Sequence, residues 1–309
     1  MNNRQLQVQK SLLKNEKAVI KQLEKSYQEV IADIDKYILQ LLARKDTENL
    51  QSIIYQVKYQ EAIKKELESY LTVLHSKNFE TLDEYLKECY EQAHIGTLFD
   101  LQGQGIPLIL PLDQEQMISA ITLNSRLSAP LYNALGYNID VLKLNVLQEI
   151  SRGIAQGLSY QEMARNLKNV TNVDYNKTLR IAKTEGHRIQ QEATYNVQKR
   201  AIEKGANIVK QWDSTLDGKT RPTHRALDGQ IIGVDEYFKS ESGYKALYPS
   251  GFGVASEDCN CRCCLLQRAK WALSDEEFTK MNGETNELQH FENVDDYDKF
   301  KKLFWKGDN

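Results

Sequence analysis

Apolar residues recur at regular intervals along the first part of the chain. Residues 1–95 contain neither glycine nor proline, so nothing in this stretch breaks a helix. Every seventh position from Leu6 is apolar, and a second apolar series begins at Leu23. This spacing is typical of a long helix that packs along a neighbouring helix. The first series is Leu6, Leu13, Ile20, Tyr27, Ile34 and Leu41, and the second is Leu23, Val30 and Tyr37.

The pattern predicts further helices before the first glycine. We expect a second helix over about 48–75 and a third over about 81–94, with Thr81 as N-cap and Glu84 at the capping-box position. The stripe on the first helix is wide enough for antiparallel packing within one chain, which fits at least as well as pairing between two chains. The residues that widen this stripe are Ile31, Ile38 and Leu42.

The pattern is interrupted after the first glycine and then resumes. Residues 96–111 place turn residues around short apolar runs, which indicates a hairpin or an inserted loop. Asp113 can cap the helix that follows it. Beyond it we predict a helix over about 139–156. A further helix follows the N-cap Ser159, and the last runs from Asp174 to about Lys204, where Gly205 ends it.

Beyond Gly205 the chain changes character. "ANIVKQWDS" alternates like a strand, and turn residues are frequent as far as Gly253. We therefore predict a mainly α protein with a small α+β C-terminal module, whose own core is thin. The predicted regions are 1–95, long helices in a coiled-coil-like bundle; 96–138, a hairpin or loop with a short helix; 139–205, helical; 206–268, the loop-rich module with cysteines; and 269–309, an acidic helical tail with aromatic residues at Phe278, Phe291, Tyr297, Phe300, Phe304 and Trp305.

Composition and charge narrow the possible functions. The net charge of −3 is no global signature of nucleic-acid binding. No apolar run reaches the ~18 residues that a membrane helix needs, and the N-terminus lacks the apolar segment of a signal peptide, so we expect synthesis in a cytosol. Residues 143–225 carry a net charge of +7 and residues 226–309 one of −6. The basic stretch could face phosphates, or it could be the solvated face of two long helices partly neutralised by the tail.

Cysteine usage is concentrated at one place. Four of the five cysteines lie between Cys259 and Cys264. On an extended strand alternate residues share a face, so Cys259, Cys261 and Cys263 face one way and Cys264 the other. Three thiolates on one face lack one ligand of a tetrahedral zinc site, and we take His224 as the fourth, with the zinc in a structural role. The metal would stabilise a module whose own core is thin.

Other interpretations of these residues stay open. The cysteines could be small buried apolar residues, or one of them could be a nucleophile paired with His224, although adjacent thiols would oxidise to disulfides. A catalytic metal would need an open position and a general base, for which Asp217, Asp228 and Glu257 are candidates. Both aspartates precede glycine and are also typical of turns.

The module resembles a known family. "KQWDSTLDGKTRPTHRALDGQII", "YPSGF" and "NCRC" are similar to the C-terminal module of phage Mu F-like minor head proteins, also called head morphogenesis proteins. Upstream, "RIAKTEGHRIQQEATYN" resembles the family's helix with an Arg-Thr-Glu element, in which Lys183 here replaces the arginine and Glu185 is the acid. The residues that fall on the family pattern are Trp212, Asp217, Arg221, His224, Leu227, Asp228, Gly229, Pro249, Asn260, Cys261, Arg262 and Cys263.

The resemblance implies a virion component made in the host bacterial cytoplasm. Such proteins join the phage head in a few copies near the portal, and they influence assembly, packaged-DNA organisation or DNA delivery without turning over a substrate. The expected partners are the portal protein, other head proteins and packaged DNA, bound weakly and without sequence preference, and no membrane. Cys261 and Cys263 are the thiols that the resemblance implies, whereas Cys259 and Cys264 are additional.

Two rival functions come from other classes of protein. A metal- or His-dependent hydrolase, such as a nuclease, is one alternative, because Mu F-like modules also occur beside toxin domains. Such an enzyme needs a catalytic domain for which the chain has little room after residue 265. A cellular coiled-coil adaptor would explain residues 1–95 but not residues 212–263.

Overall fold

The computed structural model describes residues 1–43, 57–122, 140–149, 160–273 and 296–304, together with residues 152, 156 and 158. The helices are α1 (Asn3–Ala43), α2 (Val57–Gly103), α3 (Gln114–Thr122), α4 (Tyr160–Glu203), the short α5 (Pro222–Arg225) and α6 (Ala255–Asp258), and α7 (Tyr297–Phe304); residues 140–149 are also helical. The strands are β1 (Ile208–Asp213), β2 (Ile231–Ile232), β3 (Phe238–Lys239), β4 (Lys245–Ala246) and β5 (Cys264–Ala269), followed by a 3-10 turn over Lys270–Leu273. This confirms a mainly α protein with a small α+β C-terminal module.

The sheet of the C-terminal module is built around β1. Its strand order is β2–β1–β5 with antiparallel pairing throughout, and β3 and β4 form a separate two-stranded hairpin. The predicted strand is confirmed, but its burial alternates only at the end: Ile208, Val209 and Lys210 are all buried, and the fully buried Trp212 lies between two half-buried residues. The register pairs Trp212 with Leu265 and Asp213 with Cys264, which brings the end of β1 beside the cysteine segment.

The buried stripe of α1 differs from the predicted seven-residue series. Leu6 and Leu13 are wrong as core positions, because they are 43% and 53% exposed, whereas Tyr27 and Ile34 are buried and Ile20 is half-buried. A straight helix drifts ~20° per heptad, so a seven-residue series cannot stay on one face. Residues spaced eleven apart stay on one face of a straight helix, and this spacing fits the residues that α1 buries. These buried residues are Val8, Leu12, Val19, Leu23, Tyr27, Val30 and Ile34.

The second and third predicted helices are one continuous helix. α2 runs through Thr81, which is therefore not an N-cap; its buried hydroxyl accepts a hydrogen bond from the Gln22 side chain at 3.2 Å. The predicted hairpin is also wrong for residues 96–103, which are helical. The helix carries a glycine at position 96 because Val8 packs closely against it, and a Cβ there would lie 2.4 Å from the Val8 Cγ1.

The next two predicted helix starts have different outcomes. Asp113 caps α3 as expected, since its side chain accepts a hydrogen bond from the Gln116 backbone N–H at 3.0 Å. Asp174 does not begin a helix, because α4 runs through it and its buried carboxylate accepts a hydrogen bond from the Tyr27 hydroxyl at 2.7 Å. The predicted end is confirmed: α4 stops at Glu203, and Gly205 follows with a φ of +89° that favours glycine.

The chain forms two compact units, and the three long helices supply residues to both. Unit 1 consists of Met1–Glu16, Tyr85–Leu127 and Lys183–Asn309, and unit 2 of Lys17–Glu84 and Ser128–Ala182. The core of unit 1 includes Val8, Leu12, Phe99, Trp212, Phe238, Leu265, Tyr297 and Phe300. The core of unit 2 includes Tyr27, Val30, Ile34, Leu67, Leu71, Leu74, Leu142, Val146 and Leu167.

The C-terminal aromatic residues that can be placed lie in the core of unit 1. The ring centroids of Tyr297 and Phe300 are 5.5 and 5.2 Å from that of Phe99. Within the described part of the chain, no helix combines the length and the apolar character that crossing a membrane requires. The following predicted positions lie outside the described residues or their described side chains: Leu41, Glu48, Ile139, Ser159, Phe278, Phe291, Phe304 and Trp305.

Candidate metal centre

Three of the four predicted ligands meet in the interior of the C-terminal module. The Nδ1 atom of His224 lies 3.3 Å from the Cys263 Sγ and 3.6 Å from the Cys261 Sγ. The nitrogen and both sulfurs lie within 4.8 Å of one another, and all three side chains are buried. These residues form a cluster that could hold a metal ion.

Cys259 does not belong to this group. Residues 255–258 form α6, and Asn260 adopts a left-handed conformation with a φ of +53°, so the segment is not an extended strand until Cys264. The alternation on which the prediction rested therefore does not extend back to Cys259, which is half-buried. Cys264 is buried as the first residue of β5 and is also not one of the three.

Aromatic rings surround the imidazole of His224. Trp212 meets the ring edge-to-face with a centroid distance of 5.5 Å, and the Phe252 ring lies 5.8 Å away. The Trp212 Nε1–H donates to the Ser214 hydroxyl at 3.1 Å, and that hydroxyl donates to the His224 carbonyl oxygen at 2.7 Å. Trp212 therefore helps to position the ring of His224, and Ser214, which follows β1, holds its backbone.

A buried carboxylate lies on the opposite side of the imidazole. The Oε2 of Glu257 is 3.0 Å from the His224 Nε2, and the Thr223 hydroxyl donates to the same oxygen at 2.9 Å. The Nε2–Oε2 direction departs from that of a hydrogen bond, so this close pair is an electrostatic contact and the buried Nε2 has no hydrogen-bond partner among the described residues. Glu257, considered as a general base from the sequence, instead faces the ring nitrogen away from the cysteines.

The two cysteines of the centre differ in acidity. A hydrogen bond from the Cys261 thiol, with further contributions from His224 and the Ser214 hydroxyl, holds the pKa of Cys263 well below its usual range. The same hydrogen bond, together with burial, raises the pKa of Cys261. Cys263 is therefore the more acidic thiol of the pair, and the thiolate is the form in which cysteine binds metals.

The remaining motif residues close the loops around the centre. Asp217 receives two hydrogen bonds from the Arg262 guanidinium at 2.6 and 2.7 Å, which hold the pKa of Asp217 below its usual range. Arg221 donates to the Cys259 carbonyl oxygen at 2.6 Å. Asp228 accepts from the Ser214 backbone N–H at 2.7 Å, and Gly229 takes a φ of +75° while its N–H donates to the Trp212 carbonyl at 2.9 Å.

Comparison with known proteins assigns this part of the chain. Residues 144–266 match the family described as Phage Mu protein F like protein. This region resembles the Mu F-like family, and we call its part after α4, residues 206–266, the Mu F-like module. The match includes the centre, the motif residues around it and the upstream helix with Glu185, so the resemblance seen in the sequence is confirmed.

Two relatives extend the comparison. NAD(+)--arginine ADP-ribosyltransferase EFV of Enterococcus faecalis is 33% identical over 285 residues, which are 89% of this chain and 56% of that protein. Minor head protein GP7 of Bacillus phage SPP1 is 37% identical over 122 residues, which are 40% of this chain and 39% of that protein. The chain thus spans about half the length of one relative and less of the other. No solved structure matches the chain.

Helix α4 anchors the cysteine segment of the Mu F-like module. His187 Nε2–H donates to the Cys263 carbonyl oxygen at 2.8 Å, and the Thr184 hydroxyl accepts from the Asn260 backbone N–H at 3.3 Å. Glu185 pairs with the buried Arg188 at 2.8 Å. The sequence reasoning missed His187, although it falls one turn after Lys183 in the quoted helix motif, and that spacing could have placed it on the same face.

A cavity of 790 Å³ adjoins the cysteine segment of the Mu F-like module. Cys259 and Cys261 contribute to its wall, beside basic side chains and residues of α1. The basic residues and histidine that line it are Lys183, His187, Lys219, Arg221 and Arg262, and the one acidic residue among the described lining is Glu16. The additional thiol of Cys259 therefore lies at a cavity wall and not in the metal centre.

Proposed function

We propose that this chain is a minor component of a phage head that is incorporated near the portal and influences head assembly, packaged-DNA organisation or DNA delivery. The similarity of 37% over 122 residues to a protein named as a minor head protein carries the proposal. The Mu F-like match over residues 144–266, which includes the candidate metal centre, supports it further. The partners in this function would be the portal protein, further head proteins and packaged DNA.

The burial of the centre supports a structural and not a catalytic role. His224 is 1% exposed and Cys263 is 2% exposed, so a substrate has no direct access to either side chain. A reactive cysteine has to be partly exposed to act as a nucleophile. In the proposed function the centre holds the Mu F-like module together, and zinc is the metal that a set of one imidazole and two thiolates favours.

Weak binding of packaged DNA would come from the basic stretch over residues 143–225. Part of its net positive charge is used inside the protein, since Arg188 pairs with Glu185 and Glu192 and the Lys210 side chain is buried. Lys183 and Lys219 line the cavity and remain near solvent. We therefore expect binding to duplex DNA that weakens steeply with salt, because phosphate contacts release counterions.

A matched pair of double variants tests the DNA contact. Lys183→Gln with Lys219→Gln should flatten the slope of log affinity against log salt by about 0.9 for each phosphate contact removed. Lys239→Gln with Lys245→Gln, in the acidic segment, should leave the slope unchanged. Fluorescence anisotropy with a labelled duplex measures both. Binding that ignores salt, or no binding at low salt, would exclude this role.

Location in the head is the direct test of the proposed function. DNA-filled heads from cells that produce the encoding phage are purified on a density gradient, and quantitative mass spectrometry counts the chain against the major capsid protein. We expect a few copies per head, and none in heads from a phage with the gene disrupted. Heads that contain DNA and lack the chain in the intact phage would overturn the proposal.

One relative raises a second candidate function, that of an ADP-ribosyltransferase. The ADP-ribosyltransferase of E. faecalis matches 89% of this chain, but 44% of that protein lies outside the match, and its named activity could reside there. We propose that this chain acts in the phage head without that activity. Incubation of the purified chain with labelled NAD⁺ and an arginine-containing acceptor should transfer no label. Transfer above that of a heat-denatured sample would favour the enzymatic alternative instead.

A further inference from the structure

We propose that the centre binds one zinc-class divalent ion through the His224 Nδ1 and the sulfurs of Cys261 and Cys263, with Glu257 as the positioning residue that directs Nδ1 toward the metal. This deepens the structural role proposed above and rests on it. Glu257 and Thr223 then form part of the site, although neither is a ligand. Among the described residues, His224, Cys261 and Cys263 supply three ligands.

The separations between the ligand atoms suit a tetrahedral ion. With Zn–S distances of about 2.3 Å and Zn–N distances of about 2.1 Å, a nitrogen and a sulfur bound to the same tetrahedral ion lie about 3.6 Å apart. The His224 Nδ1 lies 3.3 and 3.6 Å from the two sulfurs. Both nitrogen–sulfur separations are therefore already close to those that a zinc ion would impose.

The position of Glu257 decides which ring nitrogen faces the metal. In metal-binding histidines the second ring nitrogen usually contacts a carboxylate or a carbonyl, which fixes the tautomer and the ring orientation. Here the carboxylate is 3.0 Å from Nε2, on the side away from the cysteines, and Thr223 holds it there. Nε2 is thereby kept for the proton, and the Nδ1 lone pair is left for the ion.

The experiment uses the full chain and cobalt as a coloured substitute for zinc. The chain is purified, its zinc is counted by elemental analysis, and Co²⁺ is then exchanged in. We expect one metal per chain and a thiolate-to-cobalt absorption that Cys261→Ser and Cys263→Ser each reduce to that of one sulfur. Cys259→Ser and Cys264→Ser are the matched controls and should leave both the spectrum and the stoichiometry unchanged.

Glu257→Gln separates positioning from folding. It keeps the size of the side chain, so the module should still fold and bind metal, but with an affinity about 10–100-fold lower, as is typical for such partners. Competition with a coloured chelator measures this affinity. A Glu257→Gln variant with unchanged affinity would overturn the positioning role, and loss of metal from Cys259→Ser would overturn the ligand set.

Failure of this inference is distinguishable from failure of the proposed function. A full chain that contains no zinc and takes up no Co²⁺, yet is found in phage heads, would refute the metal centre alone. A chain that binds metal as described and is absent from heads would refute the proposed function alone.

Discussion

The core of unit 2 and the core of the Mu F-like module contain different kinds of side chain. In unit 2, aliphatic and tyrosine side chains from helices pack together along several helical turns, as at Leu67, Leu71, Leu74, Leu142 and Val146. In the module, aromatic rings and sulfurs from short strands and loops pack around one histidine, as at Trp212, Phe238, Phe252, Cys261 and Cys263. Most of these module residues lie within a few residues of a turn.

The difference shows two ways of stabilising a fold. A helical core gains from many similar apolar contacts, so its stability is spread along the helices. The module has few regular backbone hydrogen bonds, and its loops are held by specific contacts such as those of Asp228, Ser214 and His187. Loss of a single contact should therefore have wider consequences in the module than in unit 2.

The largest expected effect comes from Trp212→Ala. This ring is fully buried and packs on His224 and Phe238, so its removal should cost about 3–5 kcal/mol and disorganise the metal centre. Hydrogen exchange of peptides from β5 measures the loss. Tyr237→Ala, at a side chain that is 52% exposed in the same module, is the control, with a change within about 0.5 kcal/mol. Equal effects of the two variants would contradict the comparison.

A core substitution in unit 2 should have a smaller and more local effect. Leu71→Ala removes a fully buried side chain from α2 and should cost about 2–4 kcal/mol in the free energy of unfolding. Val73→Ala, at an exposed position of the same helix, should change it by less than about 0.5 kcal/mol. Chemical denaturation followed by circular dichroism measures both. Reduced zinc content in Leu71→Ala would show that the two cores are not independent.

Next in size is Tyr27→Phe in unit 2. Its hydroxyl donates to the buried Asp174 at 2.7 Å and lies 2.8 Å from the Thr178 hydroxyl. Burial already raises the pKa of Asp174, and loss of the Tyr27 donor should raise it further and cost about 1.5–3 kcal/mol at neutral pH. Tyr70→Phe, whose hydroxyl contacts Glu66 at the surface, is the control. A cost that does not shrink as Asp174 is protonated at low pH would refute this explanation.

The smallest effect is a pH dependence in the module. Lys210 is buried, its ammonium donates to the carbonyl oxygens of Val234 and Leu247, and burial lowers its pKa to about 8 despite the opposing influence of Asp235 and Glu236. Because an unfolded lysine keeps its proton up to about pH 10, the unfolded chain binds more protons between these values and stability rises with pH. Relative to Lys210→Met, the natural chain should gain about 1 kcal/mol from pH 8 to 9.5. Denaturant unfolding at both pH values checks this, and a constant difference would contradict it.

The sequence predicted elements whose signals are local and missed those that tertiary contacts decide. The cap at Asp113, the strand over 208–213 and the stop at Gly205 depend on nearby residues only, and all three are confirmed. Thr81 and Asp174 have the chemistry of helix caps, but both are used in buried contacts within continuous helices. No local signal separates the two uses.

The candidate site shows the same division. His224, Cys261 and Cys263 could be grouped from residue chemistry, because few other residues offer soft ligands in this module. Cys259 was assigned to the group by strand alternation, which the left-handed Asn260 interrupts. Glu257 reaches His224 only because α6 follows a long loop, and this proximity across 33 residues of sequence has no pattern that could reveal it.

Hydrogen exchange with and without a zinc chelator tests the central claim, that a metal at His224, Cys261 and Cys263 stabilises the Mu F-like module. The full chain is incubated with the chelator, and peptides from β1, β5 and the 64–74 stretch of α2 are followed by mass spectrometry. We predict faster exchange in β1 and β5 after chelation, with unchanged exchange in α2. Identical exchange in β1 and β5 with and without the chelator would contradict the claim.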